Sequence, residues 1–161
     1  MIMIDPKMPR ILRSEFYRDH ARILCASYQQ WTSQRLLDID PQSDGLVERL
    51  FHAPFGLVSH GTEADPIFNF GNAAALKLFE TSWEAFTRLP SRESAEPISR
   101  KERAALLERV SSEGFIDDYR GIRISASGRR FIIEQATVWN LIDASGRPWG
   151  QAAKVDRWSY V

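Results

Sequence analysis

The stretch that decides the fold is residues 115–157, FIDDYRGIRISASGRRFIIEQATVWNLIDASGRPWGQAAKVDR. It contains three segments rich in β-branched and aromatic residues, separated by Ser-Gly turns at Gly128 and Gly146. Short turns of this composition join neighbouring antiparallel strands. The stretch therefore predicts three consecutive antiparallel strands, over residues 115–125, 130–142 and 149–157.

The segments before this stretch have the composition of two shorter strands and a group of helices. Residues 55–60 and 67–70 have strand composition, and helical patterns follow at residues 73–79, 81–89 and 99–111. Two strands, several helices and three final strands are an α+β order. We expect a five-stranded antiparallel sheet with these helices on one face.

A further amphipathic helix is predicted before the sheet, beginning at Ser14 and ending near Leu37. Its apolar side chains recur at the spacing of one helical face; they are Phe16, Ile23, Leu24, Tyr28 and Trp31. The domain organisation that follows is an N-terminal helix and linker over residues 1–45 and a sheet domain over residues 46–161. We expect the two parts to form one structural unit.

Composition excludes several classes of function. The chain has 161 residues, enough for one core, and its 21 basic residues equal its 21 acidic residues. Bulk charge therefore gives no attraction to nucleic acid or to an anionic membrane. Cys25 is the only cysteine, and so few cysteines are typical of a reducing compartment. No apolar run approaches the ~20 residues of a membrane helix. We expect a cytoplasmic protein with no nucleic-acid or membrane partner.

The order of elements resembles that of a PAS domain. Residues 67–79, IFNFGNAAALKLF, resemble the second strand and following helix of that fold, and residues 143–150, DASGRPWG, resemble its final hairpin. The resemblance implies a PAS-like fold with the N-terminal amphipathic helix added to it.

Longer phrases narrow the resemblance to the MEKHLA-domain family, which is PAS-related. They are SHGTEADPI at residues 59–67, PSRESAEP at 90–97, GFIDDYRGIRIS at 114–125 and IEQATVWNL at 133–141. This family occurs as stand-alone bacterial proteins and at the end of the third class of plant homeodomain–leucine-zipper regulators. Because the sequence has neither a homeodomain nor leucine heptads, it resembles the stand-alone form. The resemblance implies no DNA binding and no catalytic residues, and it names no ligand.

Ser59, His60, Glu63 and Asp65 lie close together in sequence and suggest a metal site or a nucleophile–base pair. They fall in a strand and the loop after it, and the sequence shows no second cluster of His, Cys or acidic residues that could complete a site with them. Sequence neighbours of this kind rarely converge on one point. We therefore expect no metal and no catalytic site there.

The sequence also lacks the signals of a cofactor domain or an enzyme. Cys25 sits inside an amphipathic helix, where a lone cysteine is a packed apolar side chain. The three histidines, His20, His52 and His60, all precede the helix that carries the haem ligand in haem-binding PAS domains. The Asn-Cys-Arg-Phe phrase of the photochemical flavin type is absent, as are phosphate-binding loops and nucleophile elbows. We expect no cofactor and no enzymatic activity, with a loosely held flavin or other planar ligand as the open alternative.

The longest predicted strand carries the strongest binding signal. Its odd positions, from Phe131 through Gln135 and Trp139, are large, whereas its even positions are smaller and include Glu134. We expect the odd set to face the helices. The same alternation in the flanking strands places Tyr119, Arg123 and Gln151 on that inner face.

These inner residues predict a small-molecule pocket between the sheet and the helices. The expected ligand-binding residues are Asn69, Trp83, Phe86, Tyr119, Arg123, Gln135, Trp139 and Gln151. A buried guanidinium must meet a carboxylate of the protein, water or an acidic ligand, and the last of these would be a small anionic or carboxylate-bearing metabolite. The predicted function is a PAS-type sensory module that binds such a metabolite and signals through dimer or partner contacts. The alternative is a ligand-free protein–protein interaction or dimerisation domain whose inner face is simply packed.

The apolar stripe of the N-terminal helix needs a covering surface. The outer face of the sheet, expected at Ile132, Ala136 and Val138, is apolar enough to receive it. The helix packs either on its own sheet or on that of a second copy, and we expect a homodimer.

Overall fold

The computed structural model describes residues 6–161, apart from the side chains of residues 97–99. Its helices are α1 (Glu15–Thr32), α2 (Leu46–Phe51), α3 (Ala73–Leu78), α4 (Trp83–Phe86) and α5 (Pro97–Glu113). Its strands are β1 (Gly56–His60), β2 (Phe68–Gly71), β3 (Phe115–Ile124), β4 (Arg130–Ile142), β5 (Pro148–Val155) and β6 (Arg157–Tyr160). Two short 3-10 helices, Arg10–Arg13 and Ser91–Ser94, complete the described chain.

The strands form one antiparallel sheet in the order β2-β1-β5-β4-β3. This confirms the predicted α+β fold with its three final strands side by side. The last predicted strand is divided at Asp156, after which β6 pairs with residues 131–134 of β4. The first half of β4 is therefore paired with β3 and β6, and the second half with β3 and β5.

The two faces of the sheet are covered by different helices. On the inner face, Leu106 and Val110 of α5 cluster with Ile116 and Val138. On the outer face, Tyr28 of α1 packs on the indole of Trp139, the residue after Val138 in β4, with ring centroids 5.0 Å apart. Adjacent residues of a strand point to opposite faces, so α5 and α1 enclose the sheet between them.

Helix α1 packs on its own sheet. Ser14 caps it by accepting a hydrogen bond from the backbone of Tyr17, and the helix ends at Thr32, before the predicted end. Leu24 is fully buried, whereas Phe16 is 47% exposed. Trp31 Nε1 donates to the carbonyl oxygen of residue 140 on β4 at 3.0 Å, which fixes the end of the helix to the sheet.

A bulge in β4 reverses the alternation of its side chains. Gln135 is exposed and has a left-handed φ of 51°, and the register against β3 shifts on both sides of Tyr119. The prediction that odd residues face inward is right for Phe131 and Ile133 and wrong from Gln135 onward. An inserted residue offsets the pleat by one position, and a one-residue offset moves every later side chain to the other face.

The assignment of the outer face was correspondingly wrong at Val138. Val138 was expected under α1, but it lies on the inner face beside Leu106 of α5. Trp139 takes the place under α1 and is fully buried there.

Candidate ligand site between the sheet and helix α5

A cavity of about 80 Å³ lies between the inner face of the sheet and helices α3 and α5. Much of its wall is apolar and includes Phe68, Leu78, Phe79, Leu106, Phe131 and Val138. Five large polar side chains complete it: His60, Arg103, Tyr119, Arg123 and Gln151. An apolar chamber with a few polar groups is the usual composition of a small-molecule site.

Arg123 is held on β3 with its guanidinium in this wall. It is 8% exposed, and its Nη1 donates to the carbonyl oxygen of Ile122 at 3.0 Å. Its guanidinium lies 5.2 Å from the ring centroid of Tyr119, a distance at which the ring face attracts the cation. The prediction that Arg123 points inward is therefore correct.

Arg103 of α5 is a second buried guanidinium in the cavity wall, and the sequence reasoning missed it. It is 9% exposed, and its Nη2 donates to the hydroxyl of Ser91. Burial, followed by the charge of Arg123, lowers the pKa of Arg103 to about 10. The available signal was its spacing, because Arg103 shares a helical face with Leu106 and Val110.

The two guanidiniums are under-satisfied. Each carries five N–H donors, and among the described side chains each makes one hydrogen bond and no ion pair. The nearest carboxylate influence is that of Asp65, which raises the pKa of Arg103 but pairs with Arg92. The charge of Arg123 lowers the pKa of Arg103, so the two guanidiniums are close enough to repel each other. The cavity therefore has a positive end that an anion would neutralise.

His60 adds a hydrogen-bond acceptor to the same cavity. Its Nδ1 is 2.9 Å from the carbonyl oxygen of Gly61, while its Nε2 is buried without a partner. Burial lowers the pKa of His60 and the charge of Arg103 adds to this effect, which together outweigh the contacts with Gly61, Glu63 and Gln151 that raise it. The ring is therefore neutral. Gly150 has a φ of 148° and makes room for this strand end, because a Cβ there would lie 2.0 Å from the carbonyl oxygen of His60.

Three of the eight predicted ligand-binding residues line the cavity: Tyr119, Arg123 and Gln151. The amide nitrogen of Gln151 is already used, since it donates to Asn140 Oδ1 at 2.9 Å and to Ser111 Oγ at 3.3 Å. Gln151 therefore joins the ends of β4, β5 and α5, and its side chain also lies against His60.

Asn69, Gln135 and Trp139 lie away from the cavity. Asn69 Oδ1 accepts from Ser59 Oγ at 2.5 Å beside α1, Gln135 is exposed at the bulge, and Trp139 packs under Tyr28. The bulge explains the last two placements, because it exchanges the faces of β4.

Trp83 and Phe86 belong to the aromatic core next to the cavity rather than to its wall. Phe86 stacks on Phe68 with ring centroids 4.2 Å apart, and Trp83 meets Tyr17 of α1 edge-on at 5.6 Å. Phe86 thereby supports Phe68, which does line the cavity.

The structure separates the residues that suggested a metal or nucleophile. Ser59 turns toward α1, Glu63 accepts a backbone N–H of its own loop at 2.7 Å, and Asp65 pairs with Arg92. Within the described residues, no group of three or more His, Cys, Asp or Glu side chains is arranged to hold a metal. Cys25 is buried, and burial raises the pKa of its thiol to about 12. None of the helices in the described part of the chain is long and apolar enough to cross a membrane.

The family of the chain follows from its match to a known domain model. The model described as the MEKHLA domain matches residues 18–160. This chain belongs to the MEKHLA-domain family. The resemblance inferred from the four sequence phrases is thereby confirmed.

A curated relative of this MEKHLA domain is the homeobox-leucine zipper protein ATHB-9 of Arabidopsis thaliana. The two are 28% identical over 145 residues, which are 87% of this chain and 17% of the plant protein. The chain thus spans about a sixth of the length of that relative.

Solved structures show that the MEKHLA domain has a PAS fold. A PAS domain from Colwellia psychrerythraea superposes with a TM-score of 0.57 at 14% identity, over 67% of this chain and 89% of that one. The light-state dimer of the fungal blue-light photoreceptor Vivid gives a TM-score of 0.58 at 11% identity, over 88% and 93%. Both structures share the fold of this chain.

Proposed function

We propose that this MEKHLA domain is a cytoplasmic, non-enzymatic sensory module that takes up a small carboxylate metabolite and signals through contacts with a second copy or another partner. The PAS-type fold supports a signal-sensing role. The observation that carries the ligand class is the pair of buried guanidiniums, Arg103 and Arg123, which face one cavity and have no carboxylate partner among the described residues.

A carboxylate fits this pair better than other anions. Its two oxygens match the fork of N–H donors on a guanidinium. Much of the remaining wall is apolar, so a ligand with a short hydrocarbon part gains from burial. A phosphate dianion would bring a larger desolvation cost into the same apolar chamber.

A route from the cavity to the outer face runs through β1. His60 lines the cavity, and its neighbour Ser59 points to the opposite face, where its Oγ lies 2.9 Å from His20 Nε2 of α1. A shift of this strand end on ligand binding would therefore reach α1. Ile11 and Phe16, which are 53% and 47% exposed, offer apolar surface beside it for a second copy or a partner.

The test is a thermal-shift comparison of propionate with propionamide, which has the same shape and no charge. Full-length wild type should be stabilised by propionate alone, and Arg103→Met and Arg123→Met should lose that response. Arg157→Met, which removes an exposed guanidinium on β6, is the matched control and should respond like wild type.

The same variants separate ligand binding from simple packing. Without ligand, replacing a buried unpaired charge by an apolar side chain should leave the melting temperature unchanged or raise it. If no small carboxylate stabilises the wild type, or if all four proteins respond alike, the ligand-free association domain is the correct reading. Sedimentation of the same samples with and without propionate reports whether binding changes the association state.

A further inference from the structure

The cavity contains a hydrogen-bond acceptor that a simple carboxylate would leave unused. Within the described residues, His60 Nε2 and Trp139 Nε1 are the buried side-chain nitrogens without a hydrogen-bond partner. Trp139 lies under α1, whereas His60 lines the cavity. An unpaired buried polar atom costs stability until something supplies the missing bond.

The chemistry of this nitrogen is fixed by its surroundings. The Nδ1 of His60 faces the carbonyl oxygen of Gly61 at 2.9 Å, and a carbonyl only accepts, so Nδ1 carries the ring hydrogen. The ring is neutral because it is buried near the charge of Arg103. Nε2 is therefore an acceptor. The side chain of Gln151 lies near the ring but is not at hydrogen-bonding geometry to Nε2, so this acceptor still lacks a donor.

The neighbouring charges restrict what that donor can be. Arg103 and Arg123 repel an ammonium group, so a neutral hydroxyl is the donor compatible with the site. Size restricts it further, because one water-sized position needs roughly 10–15 Å³. A cavity of about 80 Å³ has room for on the order of six non-hydrogen atoms.

Resting on the proposed function, we infer that the cavity selects a short hydroxycarboxylate, with its carboxylate on the Arg103–Arg123 pair and its hydroxyl donating to His60 Nε2. Lactate has the size and both groups, and it serves as the probe. Propionate lacks only the hydroxyl, and lactamide lacks only the charge.

The experiment is calorimetric titration of the full chain with the three probes. Lactate should bind about fivefold more tightly than propionate, the effect of one neutral hydrogen bond, and lactamide should bind at least tenfold more weakly than lactate. In His60→Leu, lactate and propionate should bind equally. His52→Leu, which removes an exposed histidine on α2's C-terminal side, should retain the wild-type preference.

A second measurement uses wild type alone, in case His60→Leu does not fold. The ¹⁵N resonance of His60 Nε2 should move upfield with lactate, as an accepting ring nitrogen does, and should move much less with propionate.

The outcomes separate this inference from the function on which it rests. Binding of lactate and propionate with equal affinity to wild type would overturn the hydroxyl contact and keep the carboxylate site. A lactate preference that persists in His60→Leu would also overturn it. Failure of both acids to bind would overturn the proposed function itself.

Discussion

His20 is fully buried between α1 and the outer face of the sheet. Its Nδ1 accepts from Trp149 Nε1 at 2.9 Å, and because an indole only donates, the ring hydrogen sits on Nε2, which donates to Ser59 Oγ. Both ring nitrogens are thus used by the neutral form. Burial lowers the pKa of His20 from 6.5 to about 4.

This pKa makes the free energy of unfolding depend on pH. The folded state holds a neutral ring, while the unfolded state protonates as the pH falls below 6.5. The stabilisation is complete above the unfolded pKa and is lost progressively toward the folded pKa of about 4. Between about pH 7.5 and about pH 5, linkage gives a loss of about 2 kcal/mol from His20 alone. For a domain of this size that is roughly 4–8 °C in melting temperature.

The assay is urea unfolding of wild type and His20→Gln at these two pH values. Glutamine is neutral at both pH values. The unfolding free energy of His20→Gln should therefore fall by about 2 kcal/mol less than that of wild type between about pH 7.5 and about pH 5. The lowered pKa of His60 adds acid sensitivity to both proteins equally and cancels in the comparison. His52→Gln, at an exposed position, should lose as much as wild type.

The reasoning would be refuted by equal losses in wild type and His20→Gln. Equal losses would mean that the ring gains protons at the same pH in the folded and unfolded states, which is incompatible with a buried imidazole held by Trp149 and Ser59. Ending the range at about pH 5 stays above the ordinary pKa values of Glu80 and Asp143, 4.5 and 3.8, which hydrogen bonds in the fold lower further.

Three other features of the fold lead to testable outcomes. Deleting residues 1–41 uncovers Trp139 and the outer face, so solubility should fall or the oligomeric state should change in sedimentation; a truncated protein as stable and as associated as the full chain would contradict this. Amide hydrogen exchange should be slowest in β4 and β5, the centre of the sheet, and early exchange there with protection only in helices would count against the topology. Gln135→Gly should be neutral or stabilising by up to about 1 kcal/mol, because its φ is 51°, whereas Gln135→Val should destabilise; equal melting temperatures for the two would disprove strain at the bulge.

The sequence by itself determined the order of helices and strands. The hairpins at Gly128 and Gly146 have φ values of 87° and 84°, and the residues that favour such turns act locally. The cap at Ser14 is local in the same way. The amphipathic pattern of α1 also predicted a buried face, because helical periodicity depends only on neighbouring residues.

Part of the candidate site was also predictable. Tyr119 and Arg123 on β3 and Gln151 on β5 were placed correctly on the inner face, since a regular strand alternates its side chains. Arg123 further indicated an anionic ligand through the cost of burying a charge.

Tertiary structure alone decided the rest of the site. The bulge at Gln135 arises where β4 pairs with β3. Because of the one extra residue there, Val138 lies on the inner face where the sequence predicted Trp139, and Trp139 lies on the outer face. Arg103 lies in a helix with many charged residues, and its burial depends on what α5 covers rather than on its neighbours in sequence. Strand register and the packing of a helix on a sheet are set by contacts between distant residues, so no local pattern contains them.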